Sequence, residues 1–214
     1  MTAAEAAFDM QNDFDQDQDQ SAEQSSRAGR PRSEKARKKI LEATRRLLTH
    51  MSMDELSIEA IAKKAKVGKT TIYRWWPNKA AVAMEAFLDQ PGLANVLPSN
   101  APPAAMIKHQ LESLIRQLRG QNGKIIAGII AESQSSEEIL ELMYESFLKD
   151  RVGTLYAQFA KGQESGAFNP EIDADIAIDM MMGPLFLRVL SGENAIDDSF
   201  AAQFPRQALL ALAA

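Results

Sequence analysis

The sequence predicts an all-α protein: an N-terminal three-helix head of the helix-turn-helix kind, followed by a helical bundle. Three observations carry this. Between Leu56 and Ala83, Ile58, Ile61, Ala62 and Ala65 form one apolar stripe at helical spacing, interrupted by Lys66, Val67 and Gly68 before a second short helix. Downstream, apolar residues recur at helical spacing through almost every segment. Between the two regions, PGLANVLPSNAPP at 91–103 concentrates Pro, Gly, Asn and Ser, which forbids a continuous helix.

The elements follow in chain order. Residues 1–26 are acidic and Gln-rich with few apolar residues, and are expected to be a disordered tail. The tail is either plain solvated chain or a DNA mimic that folds over a basic neighbour. RAGRPRSEKARKKI follows, a basic arm whose Arg27, Arg30 and Arg32 suit either a narrow minor groove or unordered phosphate contacts. The first helix is expected from after Ser33 to about His50, with Ala36, Ile40, Ala43, Leu47 and Met51 on its apolar face. Ser57 can cap the second helix by accepting an orphan backbone N–H. The third starts near Lys69, and Pro77 stops it because Pro lacks an N–H and restricts the residue before it. Ile72 and Trp76 should face the small core of this head. Asn78 can cap a fourth helix carrying Ala81, Met84, Phe87 and Leu88.

Beyond the boundary, a fifth helix is expected over about 103–119, with Met106, Gln110, Leu114 and Leu118 on one side. Gly120, Asn122 and Gly123 should punctuate it from a buried sixth at 124–133. The seventh runs from Glu137 toward Gly162, with Ile139, Leu142, Met143, Phe147, Val152, Leu155 and Phe159 in helical period. The eighth, about 173–190, is apolar on every face after Asp179, so something must cover it on all sides. The last helix carries Phe200, Phe204, Ala208, Leu209 and Leu212, and Pro205 either kinks it or starts a shorter one.

Composition bounds the function. The net charge of −5 hides a segregation: residues 1–26 hold seven acidic and no basic side chains, 27–82 hold fifteen basic and five acidic, and 83–214 hold nine basic and seventeen acidic. Such a chain meets a polyanion with one end only. The short helix at Lys69 offers Lys, Thr, Tyr and Arg, which suit phosphate oxygens and major-groove base edges. The absence of Cys excludes disulfides and Cys-based metal or catalytic sites. The two His, His50 and His109, have no partner at metal-ligand spacing, so no metal and no cofactor is expected. There is no nucleophile–base pair, Gly-rich phosphate loop or catalytic pair of carboxylates, so no enzyme is expected. Glu137–Glu138 and Asp197–Asp198 fall at helix starts, where they complement the dipole. No long apolar run predicts a membrane span, and no basic-then-apolar start predicts secretion. A cytoplasmic protein is expected.

IAKKA at 61–65, Val67 and TIYRWWPNK at 71–79 resemble the TetR family of tetracycline-repressor-like bacterial regulators. The likeness is specific over about residues 30–90 and weaker downstream. It implies that Lys69, Thr70, Thr71, Tyr73, Arg74 and Trp75 occupy DNA-contacting positions, with Thr71 and Tyr73 on phosphates. It further implies phosphate contacts from Lys79 and Ser57, and from an arm bearing Arg30 and Arg32. Three positions depart from the family pattern. Lys66 stands where the turn usually has Gly, Ser52 where a Gly commonly ends the first helix, and Trp75 where a smaller ring or a cation is frequent. A non-Gly residue in the left-handed region costs roughly 1–2 kcal/mol, so the turn bends either at Lys66 or at Gly68. The Trp75 indole is expected to be exposed, either packing on a sugar or thymine methyl or serving no role.

The resemblance divides the chain into the tail 1–26, a DNA-binding domain 27–80 and a ligand-binding and dimerisation domain 81–214, with the fourth helix linking the last two. Met84, Phe87, Met106, Leu114, Ile129, Met143, Phe147 and Met181 either line an adaptable apolar pocket or are simply core. TetR-like proteins usually dimerise through their last two long helices, which points to Leu185, Phe186, Val189, Phe200, Phe204 and Leu209 as interface or as monomer core. The expected function is a homodimeric, sequence-specific repressor of a double-stranded DNA operator, released by a small apolar effector. The alternative is a DNA-binding protein without a ligand, either architectural or regulated by its tail.

Overall fold

A computed structural model describes residues 33–90, 100–192 and 196–214. The acidic tail, the arm with Arg27, Arg30 and Arg32, and residues 91–99 of the boundary lie outside the described residues. Among the described residues the chain is all-α, with one isolated antiparallel bridge between Phe168 and Ala213. No described helix is long and apolar enough to cross a membrane.

Helix α1, Glu34–Leu48, places Glu34 in its first turn and Arg45 and Arg46 in its last, each sign complementing the dipole. Its buried stripe is Ile40, Leu41, Ala43, Thr44 and Leu48. Ala36, Leu47 and Met51, expected on that face, are only half-buried. A polar residue has taken a core position: the Thr44 hydroxyl donates to the Ile40 carbonyl at 2.9 Å, so its burial leaves no unmet donor.

Helices α2 (Ile58–Ala65) and α3 (Lys69–Tyr73) pack on each other to form the helix-turn-helix. Helix α4, Lys79–Leu88, is the spine of the molecule and buries most of its length, from Ala80 to Met84 and again at Ala86 and Phe87. It packs on α6 and on the start of α7.

Helix α5, Pro103–Leu118, begins with Pro in its first turn, where a missing N–H costs nothing. Helix α6, Gln121–Ser133, starts three residues earlier than expected. Of the expected punctuation only Gly120 breaks the chain, at φ +60; Asn122 and Gly123 are helical. Helix α7 spans 137–164 in three parts: Glu137–Met143, a wide π turn Tyr144–Leu148, and Lys149–Glu164. Ile139, Met143, Phe147, Leu155 and Phe159 are all buried and are spaced in multiples of four. A 3.6-residue helix would rotate such a stripe away from the core, and the π turn restores much of the lost register. Helix α8, Ala174–Ser191, is capped by Asp173 and closed by Gly192 at φ 78. Helix α9, Asp198–Leu212, is one continuous helix with Pro205 buried inside it.

The body packs α5 against the second half of α7 and against α9, with α8 lying on both α6 and α7. Phe87 meets Phe147 edge-on at 5.7 Å, and Phe159 stacks on Phe168 at 5.6 Å. One face of α5 is polar yet buried: Gln117 donates to Ser113 at 3.2 Å and accepts from Arg151 at 2.8 Å. The Arg151 guanidinium also donates to the Phe147 carbonyl at 2.6 Å and lies 4.2 Å over the Phe147 ring.

Candidate nucleic-acid interface

Helix α2 opens at Ser57, whose Oγ accepts from the Ala60 N–H at 3.1 Å. It closes at Lys66, which adopts the left-handed conformation at φ 56, ψ 50. The Lys66 N–H bonds the Lys63 carbonyl, and the Val67 N–H bonds the Ala62 carbonyl at 3.0 Å, the pairing of a Schellman close. The turn therefore bends at Lys66. Gly68 is extended, at φ −73, ψ 149, and is no left-handed hinge.

Helix α3 has five residues and no side-chain cap, too short to persist by its own propensity. Ile72 and Trp76 hold it in place, at 0% and 3% exposure. Burial of each such side chain contributes about 1.5–3 kcal/mol. The Trp76 indole also donates to Glu85 Oε2 at 2.6 Å, and Glu85 pairs with Arg37 of α1. One carboxylate thus ties α1 and α4 to the end of the recognition helix. Asn78 caps α4 by accepting from the Ala81 N–H at 2.9 Å.

With Ile72 facing inward, Lys69, Thr70, Tyr73 and Arg74 are exposed, and Thr71 is half-buried. Ser57 is half-buried, its oxygen engaged as the cap. Lys63, Lys64 and Lys66 add further exposed cations around the turn. Lys69 donates to Glu59 at 2.8 Å. That hydrogen bond holds the Glu59 carboxyl below the usual carboxylate range and raises Lys69 above its ordinary value. The Lys69 charge is therefore partly offset by Glu59.

Two side chains stand differently from expectation. The Trp75 indole is not free on the surface: it is half-buried, 6.0 Å from the Trp76 ring, with the Arg37 guanidinium 5.5 Å over it. Lys79, half-buried, donates to the Met53 carbonyl at 2.7 Å and pairs with Glu132 of α6 at 2.8 Å. A lysine at the edge of the head is thereby joined to the body. Beside it, Gly128 of α6 lies so close to Met53 that a Cβ there would fall 2.4 Å from the Met53 Cβ. Sequence periodicity missed both contacts, because they join residues far apart in the chain. The one available signal was a Gly inside an otherwise apolar helix, which marks close backbone approach.

The residues expected to line a pocket do not do so together. Met84, Phe87, Leu114, Ile129, Met143, Phe147 and Met181 are buried and belong to the packed core, and Met106 is half-buried. A mainly apolar groove of about 760 Å³ lies between α6, α7 and α8, and of the expected set Met143 lines it. Leu185 and Val189 point into their own core, at 0% and 5% exposure. Phe186, Phe200, Phe204 and Leu209 are half-buried; Phe200 stacks on Phe204 at 4.7 Å, and the Arg188 guanidinium lies 4.1 Å over Phe200. The exposed apolar face of α8 is instead Ile176, Met180, Leu187 and Leu190. An all-round apolar helix carries no moment to say which face turns inward.

Comparison with known proteins agrees with this geometry. The pattern described as "Bacterial regulatory proteins, tetR family" matches residues 40–86, and that described as "Tetracyclin repressor-like, C-terminal domain" matches residues 104–208. The HTH-type transcriptional regulator YdeS of Bacillus subtilis (strain 168) is 33% identical over 175 residues, covering 82% of this chain and 88% of YdeS. The TetR family transcription regulator SCO0332 shares the fold with a TM-score of 0.63 at 23% identity, over 84% of this chain and 99% of that one. The regulator FadR of Bacillus subtilis, solved with stearoyl-CoA, has a TM-score of 0.64 at 19% identity, over 82% and 97% of the two chains. The buried anchors of a short exposed helix, the two matched domains and the YdeS likeness together make this chain a member of the TetR family of DNA-binding transcriptional regulators.

Proposed function

We propose that the chain is a homodimeric repressor that reads a near-palindromic operator through α3 and leaves it when a small apolar ligand binds the body. The observation that carries the reading is the two-sidedness of α3. Ile72 and Trp76 anchor it, so Lys69, Thr70, Tyr73 and Arg74 face outward, where base edges and phosphates of a duplex would lie. Arg30 and Arg32 of the arm, Thr71 and Ser57 belong to the same proposed contact set. Trp75, braced by Arg37, and Lys79, paired with Glu132, serve in it by holding the head in register.

The dimer reading is supported by α8. Ile176, Met180, Leu187 and Leu190 recur at +4, +7 and +3, which places them on one face, and they are 44–69% exposed. Leu210 of α9 adds a fifth exposed apolar side chain, at 57%. A second copy is the natural cover for an apolar face of this kind. The division of labour follows: 27–80 as the DNA-binding domain and 81–214 as the ligand-binding and dimerisation domain. Ligand release is supported by the groove between α6, α7 and α8, and by FadR having been solved with an apolar-chained ligand. Helix α6 contributes Ile130 and Ser133 to that groove and holds the head through Glu132–Lys79 and Gly128–Met53. A ligand that shifts α6 therefore acts on the head directly. This reading implies a cytoplasmic protein.

The test is selection of the full chain against random duplex DNA at near-physiological salt, followed by sequencing. A recovered near-palindrome is expected. Steep salt-dependent binding to every sequence, with no motif, would refute sequence-specific repression and favour an architectural role.

A further inference from the structure

A second cavity, of about 530 Å³, lies where the head meets the body. Its walls are the last turn of α1, one residue of α2, the end of α4 and the first turns of α6. The chain passes from α3 into the start of α4 at Lys79, so the cavity sits at the opposite end of α4 from α3. The charged side chains that line it are Arg45, Arg46 and Lys64, with His50 beside them, and no described carboxylate lines it. The volume falls in the range of roughly 300–1,000 Å³ common for small-molecule sites.

Cations gather at helix C-termini to complement the dipole. That role does not use up the cations here, because the last carbonyls of α1 have donors of their own. The Arg45 carbonyl accepts from the Thr49 N–H at 3.2 Å, and the Arg46 carbonyl from the Thr49 hydroxyl at 2.8 Å. The Leu47 carbonyl accepts from the His50 N–H at 2.9 Å, and the Leu48 carbonyl from the Gln121 amide at 2.7 Å. The end of α1 is therefore capped without the side chains of Arg45, Arg46 and Lys64. Arg45 pairs with Asp89 at 2.7 Å and Arg46 with Glu42 at 2.5 Å, but neither carboxylate lines the cavity, and solvent-exposed pairs hold a guanidinium weakly. Lys64 is exposed and has no ion-pair partner among the described residues. The Gln90 amide donates to the Asn122 side-chain oxygen at 3.3 Å, which leaves the Asn122 N–H groups for a further acceptor.

We propose that this cavity binds a small phosphorylated anion, with its phosphate oxygens at Lys64, Arg46 and the Asn122 amide and its remainder along Phe87 and Ile125. Phosphate presents acceptor oxygens on every side, which matches a lining rich in donors and without an acceptor-only side chain. The three phosphate-binding groups come from α2, α1 and α6, so the ligand joins the head to the body. Binding is independent of the repressor reading.

The experiment is isothermal titration of the full chain with inorganic pyrophosphate, in metal-free buffer at constant ionic strength. Saturable binding is expected. Lys64→Gln and Arg46→Gln should each weaken it about tenfold, the factor that a charge-assisted hydrogen bond supplies. Lys63→Gln removes the same charge from an exposed neighbour on α2 that does not line the cavity, and should leave the affinity unchanged. Absence of saturable binding would overturn the proposal. Equal losses in Lys63→Gln and Lys64→Gln would overturn it too, since they mark diffuse attraction to a basic head. A duplex also carries phosphate, and a second titration separates that source from a free anion. Binding of mixed-sequence duplex DNA is followed against salt, and Lys64→Gln should leave the slope unchanged. A slope reduced by about 0.9 would place a backbone phosphate at Lys64 and refute the small-anion site. Pyrophosphate binding with no DNA binding in the unsubstituted chain would sustain this inference and refute the repressor reading alone.

Discussion

Replacing Lys66 by Gly should stabilise the protein, and replacing it by Ala should not. Lys66 holds φ 56, ψ 50 at the close of α2, and its side chain is exposed. A residue with a Cβ pays roughly 1–2 kcal/mol in the left-handed region. Gly escapes that strain but loses roughly 0.5–1 kcal/mol more chain entropy on folding. The difference favours Gly over Ala by about 0.5–1 kcal/mol, and both variants delete the same ammonium. For a chain of this size about 1 kcal/mol corresponds to roughly 2–4 °C in Tm. The assay is thermal unfolding of the two variants side by side, with urea unfolding as a check that the slope is unchanged. A Gly variant no more stable than the Ala variant would refute a left-handed Lys66 and return the bend to Gly68. The same pair reports on function. If the Lys66 ammonium only neutralises phosphate, both variants bind operator with the same reduced salt slope.

Glu59→Gln frees Lys69 from its ion pair, so operator affinity should rise a few-fold at low salt and converge on wild type at high salt; fluorescence anisotropy that shows no change at low salt would remove Lys69 from the phosphate contacts. Trp76→Ala should cost about 3–5 kcal/mol from lost packing alone and should abolish operator binding, because α3 loses an anchor and Glu85 its indole donor. A Trp76→Ala protein that binds operator normally would contradict that account. Gly128→Ala places a Cβ against Met53 and should cost about 1–3 kcal/mol by overpacking; an unchanged Tm would show that α6 does not approach the head so closely. Leu187→Glu puts a carboxylate in the middle of the exposed α8 stripe and should leave a folded monomer with much weaker operator binding; a dimer by light scattering would exclude this face as the interface.

The parts of the molecule that a reader of the chain can locate unaided are those decided within one helical turn. Ser57 and Asn78 cap helices because an oxygen three residues from an orphan N–H reaches it whatever the rest of the chain does. Pro77 ends the helix-turn-helix, and Ile72 and Trp76 turn inward, for equally local reasons. The basic segment around that motif follows from composition alone.

Everything that depends on a distant partner was hidden. Whether the turn bends at Lys66 or Gly68 depends on Val67 packing against the core. The Met and Phe residues that periodicity offered as a cavity closed on one another, since close packing gains dispersion contacts that an empty pocket forfeits. Lys79 found Glu132 and Gly128 found Met53 only when α6 was laid beside the head. On α8 each face is apolar, so the stripe left to solvent was settled by which side the neighbouring helices covered. Local hydrogen bonding and backbone sterics act between near neighbours and are written in the chain. Burial is a competition among all surfaces at once, and only the assembled tertiary structure resolves it.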